Sequence, residues 1–106
     1  MAVYVVSLID ITDADGMRRY QSNYPALVEA YGGSYLARGG KVEALEGSWD
    51  HDRMVVMRFP DREAALAWYH SPEYQPLIEA RQRYGRANLL LVDGLGDEAA
   101  AGAGAT

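Results

Sequence analysis

No cysteine occurs among the 106 residues, which removes disulfides, cysteine-ligated zinc, iron–sulfur clusters and thiol nucleophiles in one step. Positive charge is in short supply as well. Ten Lys and Arg face fifteen Asp and Glu, for a net charge of −5. The cations are scattered among acids, so no phosphate-tracking surface is visible and nucleic acid is not an expected partner. No apolar run approaches a membrane span, and Met1–Asp10 lacks the basic region and long apolar stretch of a secretion signal. The expectation is a cytoplasmic protein with no membrane partner. Catalytic signatures are equally sparse: no Ser-His-Asp order, phosphate-cradling glycine loop, paired-carboxylate motif or haem-ligand pattern stands out. No cofactor is therefore expected.

What the chain does contain is the material of one globular domain. Hydrophobic residues make up 49% and charged residues 24% of the sequence, a balance that excludes wholesale disorder. A chain of this length buries roughly 60–65% of its unfolded surface and needs no disulfide or structural metal to fold. The Gly/Ala-rich end, 96–106, has too little apolar bulk to pack and reads as a flexible tail on a domain spanning 1–95.

The strand and helix signals follow in a definite order. Residues 3–11 (VYVVSLIDI) are apolar in both alternating registers and predict a strand that needs cover on two faces. Thr12 or Asp13 caps a following helix, with Met17, Tyr20, Tyr24, Leu27, Val28 and Tyr31 at helical spacing. Pro25 falls inside that stripe and predicts a kink or restart near Asn23–Tyr24. Gly32 and Gly33 provide the stop. Ser34–Arg38 and Val42–Leu45 read as extended segments separated by Gly39–Gly40, and Met54–Phe59 as the next strand. Asp61 caps a helix over Arg62–Tyr69. Ser71-Pro72-Glu73 repeats the start signal and predicts a second helix from Pro72 to about Arg83. A last strand spans Ala87–Asp93.

This βαββαβ order predicts an α+β, ferredoxin-like fold: a four-stranded antiparallel sheet with both helical crossovers on one face. The opposite face cannot be polar, because three of the strands carry Val, Leu, Ile, Met or Phe in both registers. Left bare, it would exceed the ~300–600 Å² typical of the largest apolar patch on a monomer. A second copy is the simplest cover and would bury on the order of 1,600 Å² or more. The expected partner is therefore the chain itself, as a homodimer.

Three separated stretches carry a family resemblance: GGSYLARGG at 32–40, LEG at 45–47, and FP at 59–60 followed by AALAWYHSPEY at 64–74. Over about residues 3–95 the chain resembles the domain of unknown function 1330 family. The resemblance implies a dimeric α/β barrel, in a superfamily that holds cofactor-independent monooxygenases, small isomerases, haem-binding members and proteins without assigned chemistry. The polar or aromatic residues at the matching positions are Arg38, Glu46, Trp68, Ser71 and Tyr74, with Arg81 further along the last helix. By analogy these are the candidates for a site.

Each candidate has a structural reading beside the chemical one. Arg38, in register with Leu36, either orients a substrate carboxylate or enolate or pairs with Glu46 or a partner-chain acid. His70, at the end of the Trp68 helix, either caps it or serves as a general base. Trp68, Tyr69 and Tyr74 either line a slot for a flat organic substrate or are plain core. Asp50-His51-Asp52 offers three metal ligands, but adjacent residues rarely point at one ion, and no metal is expected. The leading expectation is a small-molecule-binding protein, a cofactor-independent oxygenase or isomerase acting on a small anionic or aromatic substrate. In it Arg38, Trp68, Ser71 and Arg81 bind the ligand, and His70, Tyr74 or Glu46 moves a proton. The alternative is a non-catalytic dimeric ligand-binding or stress-related accessory module.

Overall fold

A computed structural model describes residues 2–21 and 24–95, with the backbone alone at 19–21 and 24. The expected tail at 96–106, the side chains of Tyr20 and Tyr24, and Asn23 at the expected kink lie outside the described residues. The elements are β1 (Val3–Ile11), α1 (Ala14–Gln21), α2 (Tyr24–Ala30), β2 (Ser34–Arg38), β3 (Arg53–Phe59), α3 (Arg62–Tyr69), α4 (Gln75–Tyr84) and β4 (Gly85–Asp93). The strands form one antiparallel sheet in the order β2-β3-β1-β4. This is the expected α+β, ferredoxin-like arrangement.

Local chemistry accounts for most of the boundaries. Asp13 Oδ1 accepts from the Gly16 amide at 3.1 Å and opens α1. α2 begins at Tyr24, so Pro25 falls in its first turn, where no donor is demanded of it. Gly32, at φ 84°, ends α2: its amide donates to Glu29 O, and the Gly33 amide to Val28 O, both at 3.0 Å. Asp61 caps α3 by accepting from the Ala64 amide at 2.7 Å.

Four expectations need correction. The last helix begins at Gln75 rather than Pro72. Ser71–Tyr74 instead form a turn, closed by the Tyr74 amide donating to Ser71 O at 3.1 Å, and Pro76 takes the donor-free first turn. Val42–Leu45 is no strand. The ladder of β2 ends near Gly39, whose amide donates to Met54 O at 3.1 Å, and Leu45 stands 91% exposed. Arg38 does not share a face with Leu36. Tyr35 pairs with Met57 and Ala37 with Val56, so Leu36 is the extra residue of a bulge, and Arg38, opposite Val55, joins Tyr35. β4 also starts two residues early, at Gly85. There a Cβ would stand 2.2 Å from the Asp10 carbonyl oxygen, a closeness that only glycine permits.

The core lies between the helices and one face of the sheet. Val3, Val5, Ile9, Val55, Met57 and Phe59 supply the sheet side, and Met17, Val28, Ala65, Trp68, Tyr74 and Ile78 the helix side. The other face carries Tyr4, Val6 and Leu8 of β1, Met54 and Val56 of β3, and Leu90 and Val92 of β4. Leu90 and Val92 are 55% and 51% exposed, so this greasy face has no cover within the described residues of one chain. No helix among those residues is long and apolar enough to cross a membrane.

Candidate functional site

Where α3 and α4 diverge over β1 and β4, they leave a cavity of about 370 Å³. Val5, Ala87, Leu89 and Leu91 form its sheet wall, and Ala65, Trp68, Tyr69, Arg81 and Gln82 its helix wall. Exposed Leu66 and His70 stand at its mouth, and β4 borders it at Leu90, whose side chain belongs to the outer face. Apolar and aromatic side chains share the lining with the polar groups of Arg81, Gln82 and His70, a mixture that can both bury and orient a small molecule.

Arg81 supplies the unusual group. It is only 6% exposed, and among the described residues its one hydrogen-bond partner is the Tyr74 hydroxyl, to which Nη1 donates at 3.1 Å. No carboxylate among them lies within ion-pair distance of it. The seven-residue separation brings Tyr74 and Arg81 to the same side of α4, two turns apart. Tyr74 is itself fixed, stacked on Trp68 at 4.5 Å between ring centroids, while Trp68 packs on Phe59 at 5.3 Å.

Ser71 holds the junction between α3 and α4. Its hydroxyl donates to Trp68 O at 2.8 Å and accepts from the Tyr74 amide at 3.2 Å. Gln75 Nε2 reaches back to Tyr69 O at 3.0 Å and Ser71 O at 3.2 Å. Ser71 thus acts on the site by setting the position of Tyr74. His70 closes α3, its amide donating to Leu66 O at 2.9 Å, and its ring stands edge-on to Tyr69 at 5.2 Å. The capping role and a place at the cavity mouth coexist in one residue.

The structure thus brings Trp68, His70 and Arg81 to the cavity, with Ser71 and Tyr74 packed behind Trp68 and Arg81. It does not bring Arg38 or Glu46 to the cavity. Glu46 is exposed in the segment after β2. Arg38 lies with its guanidinium 4.9 Å above the Tyr35 ring, near Arg53. Burial pushes the Tyr35 phenol well above its usual pKa, with Arg38 opposing and Tyr74 adding to the shift. Burial, then Arg38, pulls Arg53 below its usual value. Sequence reasoning missed Tyr35 and Arg53. The alternation of β3 carried the signal for Arg53, which shares a face with Val55 and Met57 once the strand is extended by one residue.

The Asp50-His51-Asp52 cluster divides its side chains. His51 Nδ1 lies 3.2 Å from Asp10 Oδ1, Asp52 Oδ2 accepts from the Ile11 amide at 2.8 Å, and Asp50 pairs with Ser48. Among the described residues no three His, Asp or Glu side chains stand together as a metal site.

A family model described as a domain of unknown function (DUF1330) matches residues 2–95. No curated protein matches the chain. Among solved structures, the RPA0582 protein of unknown function from Rhodopseudomonas palustris aligns at TM-score 0.73 and 18% identity, over 90% of this chain and 83% of that one. A dimeric ferredoxin-like protein of unknown function from Jannaschia sp. CCS1 aligns at TM-score 0.67 and 13% identity, over 89% and 100% of the two chains. SnoaB, a cofactor-independent oxygenase from Streptomyces nogalater, aligns at TM-score 0.62 and 15% identity, over 90% and 94%. At these identities the likeness is one of fold.

Proposed function

The chain belongs to the domain of unknown function family DUF1330, and from that premise we propose a homodimeric protein that binds a small anionic, enolisable or aromatic molecule beside Arg81 and acts on it without a cofactor. The observation that carries the reading is the buried guanidinium of Arg81, facing a cavity and partnered by a phenol instead of a carboxylate. A charge held out of water without a counter-ion is costly, and an anionic ligand offsets that cost. The aromatic walls suit a flat carbon skeleton.

The chemistry this arrangement supports is proton abstraction next to a carbonyl. The His70 imidazole at the mouth takes the proton, the C–H electron pair moves into the carbonyl, and the enolate oxygen rests on Arg81, whose guanidinium the Tyr74 hydroxyl holds from behind. Returning the proton to another carbon gives an isomerase. If the carbanion instead bonds to dioxygen, the proton held on His70 completes a hydroperoxide. Loss of the second C–H proton with O–O cleavage then releases water and leaves a new carbonyl, an oxygenase reaction of the cofactor-independent kind borne by SnoaB, which shares the fold. Self-association rests on the apolar outer face and on the dimeric relative of the same fold.

A second reading, a non-catalytic ligand binder, draws on the cavity lining among the described residues, which holds no carboxylate and leaves a single imidazole as base. One experiment addresses both. A panel of aromatic carboxylates and enolisable diketones is screened by thermal shift, and hits are followed for turnover with and without dioxygen. Hits that stabilise wild type but not Arg81→Gln, and lose turnover in His70→Ala, are expected. Hits that stabilise Arg81→Gln equally would remove the basis of the reading, and bound but unchanged hits would decide for the binder.

A further inference from the structure

The other end of the sheet carries a second concentration of positive charge. Arg38 pairs with Val55, and Arg53, two residues before Val55 on β3, points to the same face, so the two guanidiniums are diagonal neighbours across the β2–β3 ladder. Between them the chain turns through Gly39, at φ 73°, where a Cβ would stand 2.9 Å from Arg53 Cζ and Nη2. The backbone at Gly39 thus lies directly against the Arg53 guanidinium. The Nε of Arg53 is shielded from solvent and has no hydrogen-bond partner among the described residues. None of their carboxylates lies within ion-pair distance of Arg53.

Two like charges held this close repel, and a buried donor without an acceptor costs further. Burial and Arg38 together already weaken the hold of Arg53 on its proton. An anion placed between the two groups reverses both penalties. Arginine offers planar, paired donors suited to carboxylate and phosphate oxygens. The position is open to visitors, because β2 is an edge strand and Arg38 is exposed.

We propose that Arg38 and Arg53 form a binding site for a small oxyanion, a carboxylate or phosphate group, entering at the β2 edge above the Tyr35 ring. This site is separate from the Arg81 cavity and does not rest on the function proposed for it.

The test titrates inorganic phosphate and, separately, acetate into the full chain at constant ionic strength. Arginine Nε–H resonances are followed by heteronuclear NMR, with Arg53 assigned through its side-chain connection to its own backbone amide. The expected result is a saturable shift of the Arg53 resonance, with Kd raised at least tenfold in Arg38→Gln and unchanged in Arg81→Gln. A response to only one of the two probes supports the site and names its ligand class. Arg38 is exposed, so Arg38→Gln remains informative even where Arg53 variants fail to fold. No saturable shift with either anion, or a shift that survives Arg38→Gln, overturns the proposal. A shift abolished only by Arg81→Gln assigns the anion to the cavity and overturns it equally.

Discussion

If Arg81 is kept for a ligand and not for the fold, removing its charge costs less stability than removing its partner. Tyr74→Phe retains the stack on Trp68 but deletes the hydroxyl that is the one described partner of a 6% exposed guanidinium. A hydrogen bond to a charged group contributes about 1.5–3 kcal/mol, so Tyr74→Phe is expected to cost about 2 kcal/mol. In a domain of this size that lowers Tm by roughly 10 °C. Arg81→Met replaces the charge with an apolar side chain of similar length in an apolar wall. Removing a buried charge that lacks a counter-ion relieves its desolvation cost, so this replacement is expected to be neutral to stabilising. Once the guanidinium is gone, the Tyr74 hydroxyl has less to lose, so the double variant should resemble Arg81→Met, with a coupling of about 1–2 kcal/mol.

Urea unfolding of the four proteins, at one protein concentration because the proposed self-association would contribute to apparent stability, supplies the numbers. Additive effects would mean that the 3.1 Å contact carries no energy. A loss in Arg81→Met larger than that in Tyr74→Phe would make Arg81 a structural residue, and the case for a ligand would go with it.

Two other predictions concern the sheet. Val56→Lys places a charge on the outer face of β3, and light scattering should then report a single chain with unchanged circular dichroism; an undiminished dimer would move the interface elsewhere. The raised pKa of Tyr35 bears on alkaline stability. Burial favours the neutral phenol, so above about pH 10, the usual phenol value, the folded chain holds a proton that the unfolded chain releases. Stability from this group is complete below that pH and falls as pH rises above it. Tyr35→Phe should flatten the alkaline limb of a stability–pH curve, and equal slopes in the two proteins would contradict the assignment.

Much of the fold was legible because it is written in short-range patterns. Alternation in β1 and β3, the Asp61 cap and the Gly32–Gly33 stop each depend on residues a few positions apart. The site was legible in part: Trp68, His70, Ser71, Tyr74 and Arg81 converge because they lie on two successive helices and the five-residue connection between them. Arg38 was misplaced because its orientation depends on a bulge, and a one-residue irregularity flips every side chain beyond it. In an unbroken ladder from Ser34 opposite Arg58, Arg38 would oppose Met54 and face outward with Tyr4 and Val6. The extra residue, Leu36, returns it to Val55 and to the inner face. That account has an unusual consequence. Deleting Leu36 leaves Tyr35 opposite Met57, Ala37 opposite Val56 and Arg38 opposite Val55, so the deletion should preserve both the fold and the inward Arg38. Inserting an alanine after Ala37 instead should turn Arg38 outward. If bulge geometry directs Arg38, the deletion variant keeps the Arg53 response to oxyanions and the insertion variant loses it. The reverse outcome would show that something other than strand register aims this side chain.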